Sequence, residues 1–314
     1  MLDHHRARRG AIRPGELTRA RSGAPAARNL EYAVFHLVAT EQGPGGAERV
    51  CEIAVLRMRG DGTVTREFTT FLDPRVPLRG QRFHAVTEAD TLGAPRAADT
   101  VAELTRILSG AVVTSHGLDT THRFLDAEFL PAGLPAGMPG LCTLRTLRAQ
   151  LDLANHSLAR ASHTLTGHWP TAQHTALGQA RACAQLLAEL LDNAPGEFRY
   201  TGPAPVSLEP RATGRGAPAV RTKTRNLPQN PRVPAHRETP ARPLAAWPHH
   251  WRRRELDPEL CSGGFTTAER DAAVAEAERR GRRTEATAAA LATTGALAAV
   301  GTATAVGRLL RRLR

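Results

Sequence analysis

A mixed α/β sheet covered by helices is the fold class predicted for the first structured part of this chain. Three observations predict it: a meander of three β-rich runs, an amphipathic helix after them, and a short strand that leads into further helices. The runs 31–38, 49–57 and 63–71 are rich in β-branched, apolar and aromatic residues. The second is bounded by GPGG before it and RGDG after it, turn chemistry that pairs it with the third as a hairpin. Residues 97–108 place Val101, Leu104, Ile107 and Leu108 at helical spacing. AVVTS at 111–115 reads as a strand, with a helix expected from Thr121. A last helix over about 175–191 carries Leu177, Ala180, Ala184, Leu187 and Leu191 on one face.

Length and charge bound the rest. The chain has 314 residues, room for one sizeable core with added segments or for two domains. Its net charge of +12 is uneven: about +5 over residues 1–29, −3 over 30–200, +8 over 201–255 and +2 beyond. The domain at 30–195 is therefore mildly acidic, and the basic flanks suit polyanions such as nucleic acid or anionic lipid. Residues 1–29 read as a basic, disordered arm without the apolar run of a signal peptide. Residues 196–256, rich in Pro, Arg and Gly, read as a disordered linker. Within it Arg221, Lys223, Arg225, Arg252, Arg253 and Arg254 are the candidate nucleic-acid contacts. Cys51, Cys142, Cys183 and Cys261 are far apart and lack metal-ligand spacing, which implies a reduced, cytoplasmic protein.

Residues 257–314 read as an Ala-rich helical segment, whose CSGGFTTAERDAAVAEAERRG is similar to the start of BRCT domains. Residues 286–307 are uncharged and long enough to span a membrane, but large apolar side chains are few there. A packed soluble helix is the plainer reading. The final RLLRRLR is a basic amphipathic end, suited to an anionic surface or a partner helix.

Four stretches carry the functional signal. RFHAVTEADTLGAPRA (82–97), VTSHGLDTTHRFLDAEF (113–129), GLCTLRTLRAQLDLANHSLARASHTLTG (140–167) and HTALGQARACAQLL (174–187) occur in that order. Together they resemble the motifs of the DnaQ-like (DEDD-type) 3'-5' exonucleases, a family with the ribonuclease H-like fold. The resemblance covers about half of the chain. It implies a ribonuclease H-like mixed sheet, hydrolysis of nucleic-acid phosphodiesters, and two magnesium or manganese ions held by four carboxylates. Hard cations require such oxygen-rich, negative sites, and the ion pair activates water for in-line attack. The resemblance also implies a histidine as general base, five residues before the last carboxylate.

The family's carboxylate positions fall here on His36, Val38, Thr121 and Gln179, and only the general-base position keeps its type, as His174. Glu41 and Asp119 are the neighbouring acids, but neither fits the motif register. A zinc or nickel site built from His36, His116 and His174 is chemically conceivable, although the ligand count is low. The expectation is thus an exonuclease-like domain without bound metal and without turnover, serving nucleic-acid binding or scaffolding. Two alternatives stand beside it: an active exonuclease with an atypical site, and a membrane-associated adaptor that acts through its tail.

Overall fold

The computed structural model describes residues 10–19, 23–41, 48–80, 84–209, 222–224 and 251. The arms 1–9 and 252–314, with the BRCT-like stretch, the span at 286–307 and five of the six linker cations, lie outside the described residues.

The meander forms as the turn chemistry dictates. Strand β3 (Glu31–Ala39) pairs antiparallel with β4 (Val50–Arg59), which pairs antiparallel with β5 (Val64–Phe71). On the other side of β3 lie β6 (Val112–Ser115) and β7 (Met138–Cys142), both parallel to it in sequence. The order β5-β4-β3-β6-β7, with β4 alone reversed, is the ribonuclease H-like arrangement. Two elements precede the meander: β1 (Ile12–Gly15) extends the sheet beside β7, and β2 (Leu17–Thr18) pairs with β8 (Arg199–Tyr200).

Helices cover both faces. Period-two alternation sends Tyr32, Val34 and Val38 of β3 and Ala54, Leu56 and Met58 of β4 to one side. There they meet α5 (Leu158–Thr166) and α6 (Ala176–Asn193) through Leu165, Leu177, Leu187 and Leu190. The opposite face carries Ala33, Phe35, Ile53 and Val55 against α2 (Ala97–Leu108) and α3 (Leu118–Phe124). A single π-helical turn, Leu125–Phe129, continues α3, and α1 (Glu88–Thr91) and α4 (Thr143–Gln150) are short connectors.

Two boundaries differ from the sequence reading. The arm expected to be disordered over 1–29 is ordered from Gly10 to Arg19 and again from residue 23. Ile12 and Leu17 are buried there, and Ala11 donates its N–H to Asp126 at 2.6 Å. A stretch with Pro, Gly and few apolar residues hides such a strand, because its stabilisation comes mainly from edge backbone pairing.

The linker also touches the domain. Gly110 N–H donates to the Val206 carbonyl at 2.9 Å, and Phe71 N–H donates to the Lys223 carbonyl at 2.8 Å. Trp251 bridges Leu151 as an isolated β-pair, and Arg19 lies over its ring. These are backbone and single-residue contacts of extended chain, for which periodicity gives no sign. Among the described residues no helix is long and apolar enough to cross a membrane.

Candidate functional site

The four positions singled out in the sequence lie on elements that converge at one end of the sheet. His36 and Val38 are on β3, both buried and both facing α6. Thr121 sits in α3, and Gln179 lies in the first turn of α6.

Gln179 joins its helix to two neighbours. Its side chain lies beside His36, and its Nε2 donates to the Gln173 carbonyl at 2.9 Å. His36 Nε2 accepts the His116 N–H at 3.4 Å, which leaves Nδ1 as the ring's proton carrier. Burial, reinforced by nearby His116, pushes the His36 pKa down to about 3. The ring is therefore neutral at ordinary pH.

His116 is neutral for the same reason: burial lowers its pKa to about 4. Its Nε2 lies 2.8 Å from the His156 carbonyl, and its Nδ1 lies 3.0 Å from Thr143 Oγ1. A carbonyl only accepts, so Nε2–H donates and Nδ1 takes the threonine proton. Thr143 in turn meets Cys183 Sγ at 3.5 Å. Burial raises that thiol to about 12, so it stays protonated and is not a reactive thiolate.

Thr121 is buried and donates to Ser115 Oγ at 2.9 Å. Val38 packs in the apolar cluster beneath α6. His36, Val38, Thr121 and Gln179 thus supply one apolar side chain and three neutral, hydrogen-bonded ones.

The neighbouring acids point elsewhere. Asp119 is largely exposed and pairs with Arg145 at 2.7 Å. Glu41 is exposed, and its N–H donates to the Arg79 carbonyl. Glu128 is part-buried with its side chain covered, and accepts the Val50 N–H at 2.8 Å, with Arg49 at 3.3 Å. Burial raises its pKa against the pull of those two partners.

One buried acid escaped the sequence reading. Glu52 is 2% exposed, stands directly across from Val38, and accepts the Ala176 N–H at 3.0 Å. It thereby places a carboxylate at the N-terminus of α6, where the helix dipole favours it. The available signal was position 52 itself, an acid in phase with the inward residues Ala54, Leu56 and Met58.

This donor set does not fit a pair of hard divalent cations, which need several anionic oxygens converging on one point. Nor does it fit zinc or nickel. Both ring nitrogens of His116 are engaged, and His174 is exposed on the approach to α6. Among the described residues no cluster of three or more His, Cys, Asp or Glu is arranged to hold a metal. Lys223, expected as a nucleic-acid contact, donates from Nζ to the carbonyls of Ala89 and Leu92 at the end of α1.

A scan of family models and a search of curated proteins return no match. Solved structures do resemble the chain. A 3'-exonuclease described in 3'-end-specific recognition of a histone mRNA stem-loop is 11% identical, with a TM-score of 0.48 over 62% of this chain and 99% of that one. The nuclease domain of 3'hExo, a DEDDh family member bound to rAMP, is 14% identical, with a TM-score of 0.48 over 58% and 98%. The zinc-bound complex of E. coli ExoI with single-stranded DNA is 10% identical, with a TM-score of 0.42 over 53% and 41%. The fold assignment rests on the strand order itself.

Proposed function

We propose that this chain is a non-hydrolytic exonuclease-like domain that binds nucleic acid or serves as a scaffold. The observation that carries the reading is that three positions where the resemblance places metal-binding carboxylates hold neutral, hydrogen-bonded side chains: His36 accepts the His116 N–H, Gln179 donates to the Gln173 carbonyl and Thr121 donates to Ser115 Oγ. These polar groups are satisfied by neutral partners, so the site is complete as an uncharged, packed structure. Clustered carboxylates would repel one another here without metal, whereas these residues need none.

Affinity for nucleic acid is assigned chiefly to the basic flanks, because residues 30–200 carry a small net negative charge. Binding of that kind weakens steeply with salt. The test is an assay of purified full-length protein on end-labelled single-stranded DNA and RNA, with magnesium or manganese. The expected outcome is retention without shortening. Metal-dependent shortening that His174→Ala abolishes would overturn the reading in favour of an atypical active site. The exposed position of His174 is what favours that second reading.

A further inference from the structure

The α5–α6 loop carries a feature that the flanks do not explain. Trp169 is 48% exposed, the only aromatic among the exposed large apolar side chains of the described residues. The His163 ring stacks on it with centroids 4.2 Å apart and planes 20° from parallel. The Arg160 guanidinium lies 5.3 Å from the centre of the same ring. An exposed indole costs solubility, and this one is held in place rather than left to wander.

The surroundings select for an anion. From Leu153 to Ala188 the sequence contains no Asp or Glu, while Arg160, His163, His168 and His174 are all exposed. A cationic or acid-seeking partner finds nothing to pair with there. A phosphate beside a flat ring does.

The loop is also tied to the altered site. Gln179, beside His36, donates to the Gln173 carbonyl, and Gln173 Nε2 donates to the Pro170 carbonyl at 2.9 Å. A carboxylate at 179 has no N–H to make that tie. The residue that replaces a metal ligand therefore holds the loop that displays Trp169.

We infer that Trp169, flanked by His163 and Arg160, is a stacking platform for a base of single-stranded nucleic acid, with Arg160 meeting the adjacent phosphate. Base–aromatic stacking tolerates any sequence, and the planar guanidinium suits phosphate. This inference rests on the nucleic-acid reading above and adds a contact within the folded domain.

Fluorescence anisotropy of full-length protein with labelled oligo-dT and oligo-rU of about 12 nucleotides, in EDTA, tests it. Trp169→Ala is expected to weaken binding about tenfold at unchanged salt dependence, while Trp169→Phe retains most of the affinity. Arg160→Glu is expected to weaken binding and lower the salt slope by about one. The loop is exposed, and thermal melts confirm that each variant folds. Wild-type binding that Trp169→Ala and Arg160→Glu both leave intact overturns the platform and spares the flank-mediated reading. No binding by the wild type to either oligonucleotide removes both. Capture of a proline-rich peptide at Trp169 without oligonucleotide binding replaces the platform with a protein-docking role.

Discussion

The buried neutral histidines make a quantitative demand on stability. His36 titrates near 3 and His116 near 4 in the folded protein, both depressed chiefly by burial. In the unfolded chain each titrates at about 6.5. Below that value the unfolded state binds protons that the native state refuses, so stability falls with falling pH. Their contribution is complete above pH 6.5 or so and is lost progressively down to the native values. At about 1.4 kcal/mol per unit, His36 alone costs about 2 kcal/mol between pH 6.5 and 5, and His116 a similar amount. Urea unfolding of wild type and His36→Gln at pH 7 and pH 5 isolates the first share. Glutamine can accept the His116 N–H but does not titrate, so other ionisable groups cancel in the comparison. The variant is expected to lose about 2 kcal/mol less than wild type over that interval, whatever its stability at pH 7. Equal losses in both proteins, or a wild type that gains stability on acidification, would refute the assignment of a neutral buried His36.

Other perturbations follow from the same geometry. Glu52→Ala removes a buried acceptor and a negative charge at the start of α6, and is expected to cost about 2–3 kcal/mol in denaturant unfolding. Gly178→Ala places a methyl 2.1 Å from the Ala172 carbonyl oxygen, so a loss of about 1–3 kcal/mol is expected in the same assay. Restoring all four acids in His36→Asp/Val38→Glu/Thr121→Asp/Gln179→Asp is expected to lower the melting temperature without metal and to make it rise with added magnesium. Calorimetric titration of magnesium into the wild type is expected to give no binding heat; saturable binding contradicts the neutral-site description.

Much of this was written in the sequence because the relevant patterns are local. The 97–108 helix was placed to the residue by four apolar positions, and the meander by two glycine-rich turns. Motif spacing singled out His36, Val38, Thr121 and Gln179, which lie on β3, α3 and α6. What escaped was non-local. β1 forms at Ile12–Gly15 because β7 offers an edge that its own sequence does not announce. The clasp of Trp251 on Leu151 joins residues a hundred apart in sequence. The approach of His36 to Gln179 likewise depends on β3 and α6 meeting, which neither stretch encodes alone. Trp169 was legible as a residue, but not as an exposed ring between His163 and Arg160.

Under the proposed reading, positions 36, 38, 121 and 179 behave as a set. An aspartate at 179 alone would place a charge against His36, raise the histidine's pKa, and bury an ion pair that costs desolvation. It would also lose the amide that donates to the Gln173 carbonyl and holds the loop before α6. An aspartate at 36 alone would face the amide of Gln179, with no cation to justify its burial and with the His116 N–H as its other donor. Each single reversal breaks a satisfied contact without building a metal site, because a divalent ion needs several anionic oxygens together. A glutamate at 38 would in addition stand directly across the ladder from buried Glu52, adding like-charge repulsion at the start of α6. The neutral arrangement is therefore stable against stepwise return. That makes it a structural state in its own right, with the Gln179 tether as the link between the neutral site and the loop before α6.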